Sequence, residues 1–126
     1  MNISEFGKKS GLTVYTIRYY EKKGLIKVKR DEKNRRIYDE NDIEWIKFVK
    51  KLKDTGMLLR DIKIYSELRY KGDSTIEKRM DILYSHRKYI ENEVKILKNY
   101  LENLDKKIEI YKIKILNGEK NKNEKI

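Results

Sequence analysis

Cysteine, proline and alanine do not occur in the 126 residues of this chain, and histidine occurs once. Without cysteine there can be no disulfide, no thiolate zinc site and no thiol redox sensor. Without proline, the breaks between elements fall to the six glycines. The lone His86 cannot build a metal site, and its neighbour Ser85 completes no triad, so it reads as a surface or coil-flank histidine. No glycine-rich phosphate loop, paired catalytic carboxylates or activated nucleophile is visible. The expectation is a protein that is not an enzyme and needs no metal or cofactor. No apolar run approaches the roughly 20 residues of a membrane span. The opening "MNISEFGKKSG" lacks a hydrophobic signal core. Together these point to a soluble, cytoplasmic protein with no membrane segment.

Charged side chains are abundant. They make up 42% of the chain against 38% for the apolar set, and the net charge is +11. One large globular core is not expected, but amphipathic helices are well supplied. The chain is rich in Lys, Asn, Ile and Tyr, a bias that lowers the weight of the lysine count as a functional signal. Even so, a balance this basic suits a polyanion, either nucleic acid or an anionic membrane surface. The charge is also local: eight basic and two acidic residues fall between Lys22 and Arg36.

The first third has a helix-turn-helix pattern. Ser4 can cap a helix that runs to about Ser10 and stops at Gly11. Thr13 can cap a second helix to about Lys23, with Gly24 just past its end. Gly7 within the first helix suggests close approach of the second. On the second helix Ile17 and Tyr20 share a face that can pack inward, while Tyr15, Arg18, Tyr19 and Lys22 project outward. In "LIKVKRDEKNRRIY", Ile26 and Val28 alternate with Lys27 and Lys29 as in a strand. "RDEKN" reads as a turn and "RRIY" as the returning strand. Asp39, with Asp42 three residues on, comes close to a capping box at the head of a helix that Gly56 stops. Another amphipathic helix ends near Gly72.

From Ile76 onward apolar residues recur 4, 3, 4, 3 apart. The stripe contains Met80, Leu83, Ile90, Val94, Leu97 and Leu101, then Leu104, Ile108 and Tyr111, and only Arg87 breaks it. Sustained heptads indicate a coiled coil, here a helix capped by Asp73, Ser74 or Thr75 and roughly 60 Å long. Such a stripe demands a second copy, although periodicity leaves the pairing direction open. Arg87 could fix register against a carboxylate, or it could reach solvent with its stem packed.

A helix-turn-helix presents its second helix to the major groove, where base edges carry distinct donor and acceptor patterns. Tyr15, Thr16, Arg18 and Tyr19 are then the groove-facing set, with Thr13 and Lys22 as further DNA-binding candidates. Lys33, Arg35 and Arg36 on the hairpin can neutralise phosphates as a wing, with Lys27 and Lys29 beside them. Trp45, Phe48, Tyr65, Tyr70, Tyr84 and Tyr89 lie near the junction of head and coil. They are candidates for the pocket of an unidentified small-molecule effector, and equally for ordinary core.

The stretches "ISEFGKKSGLTVYTIRYYEKKGLI", "NRRIYDENDIEWIKFVKKLKDTGM" and "RDIKIY" resemble the winged DNA-binding domain of MerR-family transcriptional regulators. The likeness covers about residues 2–72. The continuation resembles a branch with a long dimerisation helix and little after it. The resemblance implies a mostly α-helical fold with a small β-hairpin wing. It divides the chain into a winged helix-turn-helix domain at 1–72, a dimerisation coiled coil at 73–117 and a polar tail at 118–126. It also implies a homodimer joined by an antiparallel coil, bound to pseudo-palindromic double-stranded promoter DNA and distorting it, so that RNA polymerase is engaged indirectly. By position, Arg18 and Tyr19 fall where the family contacts the DNA backbone and groove, Arg36 and Tyr38 on the wing motif, and Arg60 at a phosphate contact. The chain departs from the family in having Leu58 where a capping Ser, Thr or Pro is usual. It also lacks the cysteines through which metal-sensing and electrophile-sensing members act. The residues alone leave a rival: a coiled-coil interaction protein whose basic head docks on an acidic partner or binds DNA without sequence preference.

Overall fold

A computed structural model describes residues 1–118, so the tail from residue 119 onward lies outside the described residues. The element order is α1 (Ile3–Ser10), α2 (Val14–Lys22), β1 (Lys29–Arg30), β2 (Arg36–Ile37), α3 (Glu40–Asp54), α4 (Leu59–Lys71) and α5 (Ile76–Leu116). The fold is mostly helical, with one two-stranded antiparallel hairpin. The chain divides into two compact units, Met1–His86 and the residues from Arg87 on.

α1 starts earlier than its sequence suggests. Asn2, not Ser4, is the cap: its side-chain oxygen accepts the Glu5 amide at 2.9 Å. Ser4 already lies inside the first turn. Gly11 closes α1 in the left-handed conformation, φ 74°, and its amide returns to the Gly7 carbonyl. At Gly7 an added Cβ would stand 3.0 Å from the Leu12 carbonyl oxygen and 3.6 Å from Ile17 Cδ1. The expected close approach is there, and it involves the turn as well as α2. Thr13 caps α2 through the Thr16 amide.

Behind α2 the chain is pinned at one carbonyl. The Leu25 oxygen accepts from Trp45 Nε1 at 2.8 Å and from the Ser66 hydroxyl at 2.9 Å. α3 and α4 thereby hold the start of the wing while Leu25 and Ile26 enter the core. The strand pattern seen at Ile26 and Val28 is realised later, at Lys29–Arg30 paired with Arg36–Ile37. Ile26 is claimed by the core before pairing begins. Asp31 builds the hairpin turn: one carboxylate oxygen takes the Lys33 and Arg35 amides, and the other takes Arg35 Nε. Asn34 sits at φ 62°. These bonds, the Arg35 amide foremost, hold the Asp31 carboxyl below the usual carboxylate range.

α3 opens with a complete capping box. The Asp39 side chain accepts the Asp42 amide, and the Asp42 side chain accepts the Asp39 amide. α4 has no counterpart: Leu58 occupies the cap position in an extended conformation without a side-chain bond. A 3₁₀ turn at Asp73–Thr75 leads into α5. Thr75 does not cap α5; its hydroxyl turns back to the Leu68 and Gly72 carbonyls at the end of α4.

The core of the first unit centres on Phe6, Ile17, Leu25, Ile46, Val49 and Ile62. Ile82 and Leu83, in the opening turns of α5, pack on it. His86 Nε2 lies 2.8 Å from the Thr55 hydroxyl. In the second unit α5 buries no residue, and Val94, Leu97, Leu101, Leu104 and Ile108 are all exposed. Ile90 and Tyr111 are half-buried. Arg87, the break in the stripe, is paired to Glu91 of its own helix at 2.6 Å. No helix among the described residues is long and apolar enough to cross a membrane.

Candidate nucleic-acid interface

The helical period of α2 sorts its side chains as its sequence implies. Ile17 and Tyr20 are buried, while Tyr15 is 81% exposed and Arg18 and Lys22 are exposed. Arg18 makes no ion pair among the described residues. Its five N–H donors face solvent on the helix that follows the turn. Thr13 and Thr16 engage each other, with 2.9 Å between their hydroxyls. Tyr19 is half-buried, and its ring is flanked by the ammonium groups of Lys23 and Lys53 at 5.7 and 5.6 Å. Lys53 reaches this surface from the last turn of α3. No periodicity links it to α2, so the contact carries no signal in the residue pattern.

The wing residues divide by what they already touch. Lys33 is exposed at the turn. Arg35 is exposed and bonded to Asp31. Arg36 is half-buried and bonded to Glu21 on α2. Lys29 bridges to Asp39. The Arg36–Glu21 pair therefore ties β2 to α2, and the guanidinium is positioned by that bond.

Tyr38 is not on the surface. It is 3% exposed, its ring stacked on Phe6 at 4.2 Å and 8°, and its hydroxyl is buried beside Arg36 without a well-formed hydrogen bond. Burial raises its pKa. The aromatic core takes the side chain that the family resemblance puts on the wing motif. Arg60 stands exposed in the first turn of α4, with only a loose 3.6 Å pair to Asp61.

Of the six aromatics near the junction, three meet. Trp45 stacks on Tyr65 at 5.7 Å, and Phe48 tilts against both. They line a cavity of about 270 Å³ together with Arg69 and Arg79, with Asn41 and Glu44 also on its lining. Tyr70 is off the lining, its hydroxyl accepting the Lys27 backbone amide. Tyr84 is exposed on α5, and Tyr89 belongs to the second unit. The described residues hold no cluster of acidic or histidine side chains suited to a metal ion.

This architecture is shared with known proteins. The family model described as "MerR HTH family regulatory protein" matches residues 1–68. An uncharacterised HTH-type transcriptional regulator of Haemophilus influenzae is 38% identical over 105 residues, covering 82% of this chain and 78% of that protein. A solved structure of HiNmlR, a MerR-family regulator lacking the sensor domain and bound to promoter DNA, is similar at a TM-score of 0.77. It is 34% identical and the match covers 94% of each chain. A MerR-family transcriptional regulator from Bacillus thuringiensis is similar at a TM-score of 0.74 and 30% identity, covering 88% of this chain and 98% of that one. A helix-turn-helix with an outward arginine, a hairpin wing tied to it and a match over more than half the chain leave one conclusion: the chain belongs to the MerR family of helix-turn-helix transcriptional regulators and is not an enzyme.

Proposed function

We propose that the protein works as a homodimer joined along α5, reading pseudo-palindromic double-stranded promoter DNA and distorting it, so that its effect reaches RNA polymerase through the shape of the promoter. One observation carries this reading: Tyr15, Arg18 and Lys22 project from one face of α2, and none has an ion-pair partner among the described residues. In the major groove Arg18 can take a guanine edge or a phosphate, and Tyr15 a sugar or thymine methyl. Tyr19, held between Lys23 and Lys53, brings two extra cations to the backbone beside the groove. Lys33 and Arg35 neutralise phosphates from the wing, and Arg36 reaches them at the angle Glu21 sets. Arg60 adds a phosphate contact from the start of α4, and Tyr38 supports the wing from beneath. On this reading residues 1–72 are the DNA-binding domain and 73–117 the dimerisation helix, and the protein acts in the cytoplasm.

The coil supports the two-fold part of the proposal. Two heads related by symmetry call for a two-fold operator. The antiparallel direction follows the family resemblance. The neighbour bound to promoter DNA supports the DNA partner. Selection of bound fragments from random duplex DNA, followed by gel-shift titration, tests the reading. A two-fold consensus is expected, with Arg18→Ala weakening binding by about 1–3 kcal/mol in a base-dependent way. Lys33→Ala should weaken all sequences alike and reduce the salt slope by about one. Sequence-blind retention that Arg18→Ala leaves unchanged would defeat the proposal and favour docking of the basic head on an acidic partner.

A further inference from the structure

The cavity on the first unit is chemically unbalanced. Two guanidinium groups border it, and neither has a carboxylate within ion-pair distance among the described residues. Both are already held. Arg69 lies 4.5 Å from the centroid of Trp45 and 5.1 Å from that of Tyr70, so two aromatic rings fix its plane. Arg79 donates Nε to the Thr75 hydroxyl at 3.1 Å and Nη2 to the Gly72 carbonyl at 3.3 Å. Carbonyls and π faces orient a guanidinium but do not neutralise it. Each keeps free N–H donors, and little side-chain entropy is left to lose on binding. Phe48 is the half-buried aromatic side chain on the lining, and it packs against the buried Trp45 and Tyr65 beneath it.

We infer that this cavity is a binding site for a small planar organic anion, an aryl monocarboxylate. The carboxylate would pair with Arg69 and Arg79 in the charge-assisted geometry guanidinium favours, and the ring would lie on Phe48 and the edge of Trp45. The volume of about 270 Å³ lies just below the usual range for drug-sized ligands and suits a single ring system. Glu44 on the lining puts a carboxylate beside the site and opposes dianions, so inorganic phosphate fits poorly.

The site also has a physical route to the wing. Arg69 is shared by Trp45 and Tyr70, and the Tyr70 hydroxyl accepts the Lys27 backbone amide at 3.0 Å, two residues before β1. A carboxylate paired with Arg69 offsets the charge that the Tyr70 ring attracts, and so weakens the contact that steadies Tyr70 and the start of the hairpin. This consequence, unlike the binding itself, rests on the DNA-binding reading proposed above.

Trp45 is the chain's single tryptophan and forms part of the cavity wall, so its emission reports occupancy of the free protein without DNA. Benzoate should change that emission saturably. Benzamide, benzamidine and inorganic phosphate should not. Arg69→Gln and Arg79→Gln should each raise the benzoate dissociation constant at least tenfold, read by calorimetry because Arg69→Gln alters the tryptophan's surroundings directly. Circular dichroism checks that both variants fold, and Arg69→Lys should fall between wild type and Arg69→Gln. Equal responses to benzoate and benzamide would overturn the inference, as would unchanged benzoate affinity in both glutamine variants. So would a response that appears only on dilution to monomer, which would assign the cavity to a second copy of the chain. A separate gel-shift arm with benzoate tests the link to the wing. Its failure with emission binding intact would remove the coupling and leave the site.

Discussion

The two ends of this chain use apolar side chains in opposite ways. In Met1–His86 the apolar positions of the helices find partners within the chain: Ile17, Ile46 and Ile62 are fully buried. Among the described residues of the second unit the same residue types, at equally regular spacing, stay largely open: Leu97 is 64%, Leu101 58% and Leu104 60% exposed. Burying apolar surface yields about 25 cal/mol per Å², so the head collects that stabilisation alone and the coil does not. Lysine, glutamate and leucine are frequent in α5 and favour a helix locally, but each adds only tenths of a kcal/mol and isoleucine and tyrosine are weaker formers. A helix of this kind is held chiefly by what packs on it. The stability of the second unit should therefore depend on protein concentration, and that of the head should not.

The sharpest way to break this contrast is at the seam. Replacing Leu97 and Leu101 together by Asp places charges where the proposed dimer buries leucine. Losing each leucine costs roughly 2–5 kcal/mol, and the two-fold doubles every site, so association should weaken by four orders of magnitude or more. Sedimentation equilibrium should show monomers, and circular dichroism a loss of helix confined to α5. A variant that stays dimeric with full helicity would show that the coil pairs elsewhere.

A second perturbation approaches from the other side. Ile46→Ala empties a fully buried position in the head and should cost about 2–5 kcal/mol. Trp45, which packs in the same core, should report an earlier thermal transition in its emission. Helix signal from the coil should melt at the wild-type temperature. One merged transition in both probes would mean that the two units fold as one.

How much of this was legible in the sequence depended on distance along the chain. Period and short spacings told the inward Ile17 and Tyr20 from the outward Tyr15, Arg18 and Lys22, and they marked Thr13 and Asp39 as caps. Spacing pointed to Ser4 as the cap of α1, and Asn2, two residues earlier and equally able to cap, was passed over. The structure chooses Asn2, so that Ile3 and Phe6 reach the core from the first turns. What stayed hidden needed contacts between distant segments. Glu21 and Arg36 are fifteen residues apart with no shared period. Tyr38 lies in a polar run, and only its stacking on Phe6 reveals it as core. Trp45 and Phe48 share a face of α3, so their grouping was readable. Arg69 and Arg79, which give the cavity its charge, carry no signal in pattern.

Within the head, the opening of α3 gives a smaller test that depends on pH. The Asp39 carboxyl is held below its usual range, first by Lys29 and then by the Asp42 amide. A lowered folded pKa means the charged form is the stabilising one. Its contribution is present above the ordinary carboxylate value of about 3.9 and is lost as pH falls through the lower folded value. Asp42 acts in the opposite sense, its pKa raised by burial, so protonating it relieves a cost. Asp39→Ala should therefore destabilise the head by about 1 kcal/mol near neutral pH, shrinking toward zero in strong acid. Urea titrations of the head at the two pH values check the difference. An equal penalty at both would mean that the carboxylate's charge is not what matters.

The start of α4 gives the smallest effect and the opposite sign. Leu58 holds a cap geometry, φ −66° and ψ 144°, with no side-chain oxygen to offer. The helix begins through backbone bonds alone, the Asp61 and Ile62 amides both turning to the Leu58 carbonyl. Leu58 is 59% exposed, so little apolar burial is lost by replacing it. Leu58→Ser supplies the missing acceptor without moving the backbone, and should stabilise the head by about 0.5–1 kcal/mol. The gain should appear in the tryptophan transition and not in the coil's concentration-dependent one, because α4 belongs wholly to the first unit. If Leu58→Ser instead weakened dimerisation, the exposed leucine would be part of the surface that meets a second copy, and the division between a self-sufficient head and a partner-dependent coil would have to be redrawn at this residue.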